Sequence, residues 1–204
     1  MNNDTTKLLV EYMTFDIKEA QEATDQPFRV QGVLQRKGKK NQNGRIYPDE
    51  ILIREADKYA RTFIAERRAM GELDHPESSV VNLKNVSHNV LEMHWVGDDL
   101  IGTVEVLPTP NGNILRELFR SGIKLGISSR GLGTLKKISE NSAVVGDDFE
   151  LIAFDFVSNP STQGAFMAPM SGQVALAEGI VKNPVTNKWE KADEIVRNIL
   201  TELG

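Results

Sequence analysis

Histidine is the commonest general base in enzymes, and this chain contains three histidines. His94 lies in a strand-like apolar run, where an ordinary structural role is expected. His88 lies in the polar segment 85–89, which predicts a solvated side chain. His75 lies in the polar turn 71–76, where the proline that follows it restricts the backbone and leaves the imidazole accessible. His75 is therefore the candidate base.

Two adjacent serines, Ser128 and Ser129, form the second candidate group. Successive residues of a strand point to opposite faces, so one of the two must face inward or into a cleft. Gly126 and Gly131 nearby leave room for a substrate strand and free backbone N–H groups to face an oxyanion. An equally good interpretation is a turn in which glycine supplies conformation and serine supplies hydrogen bonds.

Asp155 is the third candidate, because it interrupts the strongly apolar run 149–157. Either face of such a strand buries the carboxylate, which costs several kcal/mol unless a cation or a donor meets it. The functional partner would be an imidazole N–H that the carboxylate orients, and the structural partner would be an arginine such as Arg130. Asp148 and Glu150 compete for the same role.

A metal-dependent hydrolase is a further hypothesis, with Glu72, Asp74, His75 and Glu77 as ligands. These groups crowd within one turn, and the chain has no His-x-x-x-His or Glu-x-x-His pair, so this hypothesis ranks lower. The absence of cysteine excludes disulfides, thiol catalysis and thiolate metal sites. No metal and no cofactor are expected.

Composition narrows the function classes further. The formal net charge of −5 and the isoelectric point of about 5.3 argue against nucleic-acid binding. The N-terminal residues do not resemble a signal peptide. No apolar run approaches the roughly 20 residues of a membrane-spanning helix, so no membrane contact is expected.

The elements that would position these groups are mostly short strands. Strands are predicted at 7–15, 28–35, 90–96, 99–107 and 149–157, with a turn at 97–98, and an extended segment is predicted at 124–138. Pro48 predicts the start of one helix and Asn113 the N-cap of another over 114–120. This pattern predicts an α+β fold, a barrel-like and mostly antiparallel sheet with a few surrounding helices. Residues 1–178 are expected to form one domain and residues 179–204 a tail with an amphipathic helix.

Four blocks of the sequence resemble the prohead core proteases of T-even-type phages. They read Asn-Gln-Asn-Gly-Arg-Ile-Tyr-Pro at 41–48, Gly-Glu-Leu-Asp-His-Pro at 71–76, Gly-Ile-Ser-Ser-Arg-Gly-Leu-Gly at 126–133 and Asp-Phe-Val-Ser-Asn-Pro-Ser at 155–161. Each block is modest alone, but the four occur in order and are jointly specific.

The resemblance implies a serine protease with a fold similar to the herpesvirus assemblin proteases. It implies that His75 is the base and Ser128, the first serine of its block, is the nucleophile, with Asp155 carried over as the third member. The backbone N–H groups of Arg130 and Gly131 are the candidate oxyanion donors.

The resemblance also implies a location and substrates. Such proteases work inside the phage prohead, in the host cytoplasm, and cut scaffold and capsid proteins; self-association there is an open expectation. Their sites resemble (Leu/Ile)-x-Glu followed by a small residue, a pattern that this chain itself contains at Glu178 and Glu19. These two positions are candidate autocleavage sites, and cleavage at Glu178 would remove the tail. The main alternative is a noncatalytic structural or scaffold component of the same particle.

Overall fold

The computed structural model describes residues 7–13, 27–74, 76, 78–158 and 167–169. These residues form two α-helices, α1 Asp49–Tyr59 and α2 Pro110–Arg120, and a set of strands. The strands are β1 Lys7–Met13, β2 Arg29–Arg36, β3 Arg45–Ile46, β4 Met70–Glu72, β5 Val86–Val96, β6 Asp99–Val106, β7 Gly126–Gly133, β8 Leu135–Ser139, β9 Ser142–Val145, β10 Glu150–Val157 and β11 Ala168–Pro169.

The described strands form three sheets. One has the order β1-β7-β10, the second β11-β2-β6-β5-β4, and the third β3-β9-β8. Every pairing is antiparallel except that of β3 with β9. The expected α+β class and the mostly antiparallel sheet are thus confirmed.

The expected barrel is not found as a closed ladder among the described strands. The first two sheets are connected by a single parallel bridge between Leu73 and Phe156, just beyond the end of β4. Pairing stops there because Asp74 turns the chain away, with a left-handed φ of 67° that Asp tolerates better than most residues. The two sheets are therefore adjacent at β4 and β10, but their described strands do not form one continuous sheet.

The two helices begin where proline permits. α1 follows Pro48 as predicted, and residues Ala60–Ile64 continue it as a π-helical turn. α2 begins earlier than the predicted Asn113 cap, because Thr109 Oγ1 accepts a hydrogen bond from the Gly112 N–H at 3.0 Å and Pro110 fits the first turn. The region between the predicted extended segment and the predicted strand 149–157 contains β9.

The two faces of β10 have different surroundings. Phe154 and Phe156 belong to the main hydrophobic core, with edge contacts to Tyr59 and Phe119 at centroid distances of 5.5 and 5.6 Å. Alternation along the strand places Asp155 on the opposite face, where it is also fully buried. The core therefore fixes β10 by its aromatic side and leaves the other side for polar contacts.

β4 lies unusually close to β10. A Cβ atom added to Gly71 would lie 1.9 Å from the Phe154 carbonyl oxygen and 2.3 Å from His88 Nε2, so only glycine fits there. This close approach brings the residues after Gly71 to the polar side of β10. The proposed tail at 179–204 and its boundary lie outside the described residues.

Candidate active site

A β-bulge in β10 decides which side chain faces Ser128. Leu151 pairs with Gly131 and Ala153 with Arg130, so Ile152 is the extra residue of the ladder. Beyond the bulge Asp155 pairs with Ser128, and directly opposed residues share one face of the sheet. If Ile152 instead paired with Arg130 in a regular ladder, Phe154 would stand opposite Ser128.

The two serines lie in different environments. Ser129 points to the core face, where its Oγ accepts a hydrogen bond from Gln35 Nε2 at 2.8 Å. Ser128 points to the opposite face, together with Arg130 and Asp155. All of these side chains are buried. The hydroxyl of Ser129 is therefore engaged within the core, whereas that of Ser128 faces the polar side.

Asp155 and Arg130 form a buried ion pair. The guanidinium Nη2 lies 3.1 Å from Oδ1 of Asp155, and Nε lies 2.8 Å from Oδ2 without the alignment of a full hydrogen bond. Oδ1 also accepts the backbone N–H of Glu72 at 3.0 Å. Arg130, the structural partner that the sequence suggested for Asp155, is thus present. The role of Asp155 in orienting an imidazole stays a prediction.

His75 lies outside the described residues, but the chain on both sides of it is described. The Asp74 N–H donates to the Phe156 carbonyl at 2.8 Å, next to Asp155. On the other side, the Ser78 carbonyl accepts from Arg130 Nη1 at 2.6 Å. Both flanks of the His75 turn are therefore bound to the two strands that carry Ser128 and Asp155.

The backbone of Arg130 and Gly131 was expected to supply oxyanion donors. Both residues lie in β7, the central strand of its sheet, and both are paired on each side, with β1 and with β10. Their N–H groups therefore point toward neighbouring strands, in the plane of the sheet, and not toward the face of Ser128. This placement does not favour them as oxyanion donors.

The competitors of Asp155 lie away from Ser128. Glu150 is exposed and stands opposite Leu132, four residues further along β7. Asp148 is exposed and accepts hydrogen bonds from the backbone and hydroxyl of Thr134. Of the three carboxylates, only Asp155 stands directly opposite Ser128.

His88 contradicts the sequence interpretation, which expected it to be solvated. Its side chain is fully buried, because β5 begins at Val86 and carries His88 into the interior. Nε2 donates to the Phe154 carbonyl at 2.8 Å, so Nδ1 accepts from the Ser87 hydroxyl at 2.8 Å. His94, by contrast, is exposed on the same strand.

Burial lowers the pKa of His88 to about 4, because the interior disfavours the imidazolium. The unfolded chain binds a proton at His88 below about pH 6.5 while the folded chain does not, so this residue reduces stability as pH falls from 6.5 toward 4. We expect a loss of about 3 kcal/mol over that window. Urea unfolding at several pH values should show a smaller loss for His88→Gln, which keeps a donor but cannot be protonated. Parallel pH curves for the two proteins would contradict this assignment.

No helix among the described residues is long and apolar enough to cross a membrane. In the same part of the chain, no group of three or more His, Asp or Glu side chains is arranged to hold a metal ion. Glu72, one of the four metal ligands considered, instead binds Arg130 and the Asn82 N–H through Oε1.

Comparisons with known proteins identify the family of this chain. Residues 5–174 match the family described as prohead core protein serine protease. The chain is 31% identical over 143 residues to the prohead core protein protease of Enterobacteria phage T4, which covers 69% of this chain and 68% of the relative. The fold of this chain superposes on that of the bacteriophage T4 capsid assembly protease with a TM-score of 0.70 and 27% sequence identity. The superposition covers 76% of this chain and 99% of the T4 chain.

The fold and the family match thus define a peptidase of mostly antiparallel α+β architecture. The chain belongs to the prohead core protein serine protease family. A likeness to herpesvirus proteases is not among these findings, so the fold is described by its likeness to the T4 protease alone.

Proposed function

We propose that this protein is a serine endoprotease that matures phage proheads, with Ser128 as nucleophile and His75 as general base. This proposal is supported mainly by the positions of the two serines, which lie on opposite faces of β7. Of the two, only Ser128 lies on the face shared with Asp155. The flanks of the His75 turn are bound to that face through Asp74 and Ser78. Family membership supports the peptidase chemistry.

The mechanism follows from these roles. His75 takes the proton from Ser128 Oγ as the oxygen attacks the scissile carbonyl, and then delivers it to the leaving amine. A water activated by the same imidazole hydrolyses the acyl-enzyme and regenerates the serine. Asp155 serves as the third member, while its carboxylate also neutralises Arg130.

Substrate access requires movement in this mechanism. Ser128 is fully buried, so a scissile carbonyl reaches Oγ only after part of its cover moves aside. Movements of this kind commonly accompany substrate binding in enzymes.

Family membership suggests the substrates. We propose that the substrates are phage scaffold and capsid proteins, which are cut after (Leu/Ile)-x-Glu inside the prohead in the host cytoplasm.

The chain's own Leu-Ala-Glu-Gly at 176–179 and Ile-Lys-Glu-Ala at 17–20 make Glu178 and Glu19 the proposed autocleavage sites; both lie outside the described residues. Intact-mass measurement of the wild-type protein should find a fragment ending at Glu178. The Glu178→Gln protein should remain active but should yield no such fragment.

A fluorophosphonate probe tests the serine chemistry directly. The nucleophilic Oγ attacks phosphorus and expels fluoride, which leaves a stable adduct whose position tandem mass spectrometry reads. We expect the adduct on Ser128, unchanged labelling of Ser129→Ala, and none of Ser128→Ala. A protein that cleaves peptides but carries the adduct on Ser129, or carries none, would overturn the assignment.

A further inference from the structure

Arg130 is the centre of a buried polar cluster that joins three parts of the chain. Its guanidinium, fully buried, donates to the Ser78 carbonyl at 2.6 Å and to Glu72 Oε1 at 3.2 Å, besides pairing with Asp155. Glu72 Oε1 also accepts the Asn82 N–H at 2.9 Å. The cluster therefore holds the segment 73–82 at two points, Ser78 and Asn82.

Stability alone does not explain Glu72. Asp155 by itself neutralises Arg130, so the second buried carboxylate is in excess of the charge that the cation requires. Glu72 is 1% exposed, and its Oε2 accepts no hydrogen bond from any described residue. An unsatisfied buried carboxylate oxygen is costly, and natural proteins keep such a group where it has another use.

The anchored segment contains the proposed base. Asp74 is bound to Phe156, Ser78 is bound to Arg130, and three residues including His75 span the interval between them. The second anchor, from Glu72 to Asn82, prevents the far end of the segment from lifting away from the Ser128 face. Because misplacing a catalytic group by about 1 Å can cost ~10²-fold in rate, such anchors have kinetic consequences.

We propose that Glu72 and Arg130 are positioning residues of the peptidase reaction, which hold segment 73–82 at Ser78 and Asn82 and thereby position the chain on both sides of His75 relative to Ser128. This inference rests on the proposed function. Neither side chain needs to touch the substrate; both act through the backbone of the segment that they bind.

Glu72→Gln tests the proposal, with Glu55→Gln as matched control. Glu55 is also a buried carboxylate that accepts one backbone N–H, that of Leu151 at 3.1 Å, but it anchors the start of β10 and not segment 73–82. The assay uses a quenched fluorescent peptide with the sequence of residues 174–181, and both variants are compared per folded molecule. We expect Glu72→Gln to lower kcat by roughly 10²-fold with KM nearly unchanged. Glu55→Gln should lower stability alone.

Two further measurements keep the test decisive. Amide exchange at Asn82 should be faster in Glu72→Gln than in wild type and unchanged in Glu55→Gln. If Glu72→Gln does not fold, Asn82→Pro removes the anchored N–H and leaves all three buried charges in place; it should lower kcat by at least ~10-fold. If the variant that folds, Glu72→Gln or else Asn82→Pro, has the same kcat per folded molecule as the wild type, the proposal is overturned. If the probe fails to label Ser128 in wild type, the proposed function itself fails; labelled Ser128 with an undiminished kcat overturns this inference alone.

Discussion

Ser128→Ala and His75→Ala are each expected to lower kcat for peptide cleavage by ~10⁴–10⁶, to near background, because each removes an essential partner of proton transfer and nucleophilic attack. Circular dichroism and thermal melts should show that both variants remain folded. The double variant should be no slower than either single one, since the two side chains act as a unit. Hydrolysis of the 174–181 peptide measures the effect.

Ser129→Ala is the matched control for this result. It removes the acceptor of the Gln35 amide in the core, at a cost of about 1–3 kcal/mol, and leaves the Ser128 face untouched. Cleavage per folded molecule should stay within a few-fold of wild type. A dead Ser129→Ala beside an active Ser128→Ala would move the nucleophile by one residue and to the other face of β7.

Asp155→Asn is expected to affect both stability and rate. It breaks a fully buried ion pair from one side and turns an amide N–H₂ toward the Arg130 guanidinium, so we expect a loss of roughly 3–5 kcal/mol in the free energy of unfolding. If Asp155 also orients the imidazole, kcat per folded molecule should fall by ~10⁴-fold, because an amide does not stabilise the imidazolium.

Asp99→Asn provides the comparison for stability. Its partner Arg36 is partly exposed, so the same chemical change should cost no more than about 1 kcal/mol. Denaturant unfolding and the peptide assay separate the two roles of Asp155. A large stability loss with unchanged kcat per folded molecule would assign Asp155 to Arg130 alone and remove it from the mechanism.

The elements with strong local signals were predictable from the sequence. Alternation and the Gly97-Asp98 turn located the β5–β6 hairpin, and Pro48 located the start of α1. α2 was placed late because Asn113 and Thr109 are both good caps, and only the contact of Thr109 with the Gly112 N–H distinguishes them. Local patterns could not reveal that the described strands form no closed barrel, since closure depends on pairings between distant strands.

The candidate site was only partly predictable. Sequence indicated Ser128, Asp155 and Arg130 as residues that could meet, but not which serine shares their face, because that depends on a bulge in a neighbouring strand. The role of Glu72 was missed because its partners, Asn82 and Arg130, lie 10 and 58 positions away. The burial of His88 was missed because Ser87, His88 and Asn89 form a short polar run at the beginning of a long strand. All three are buried, and alternation begins only after Val90, so no local pattern marks the start of this strand.

The extra residue in β10 is a position at which the strand can lose one residue without changing its pairing with β7. Removing Ile152 would join Leu151, opposite Gly131, directly to Ala153, opposite Arg130, so the ladder would become regular and Asp155 would stay opposite Ser128. Relatives that conserve the Ser128–Asp155 pairing should therefore tolerate a single gap at position 152. An alignment that closes this gap by sliding the rest of β10 one residue along would equate residues from opposite sides of the sheet.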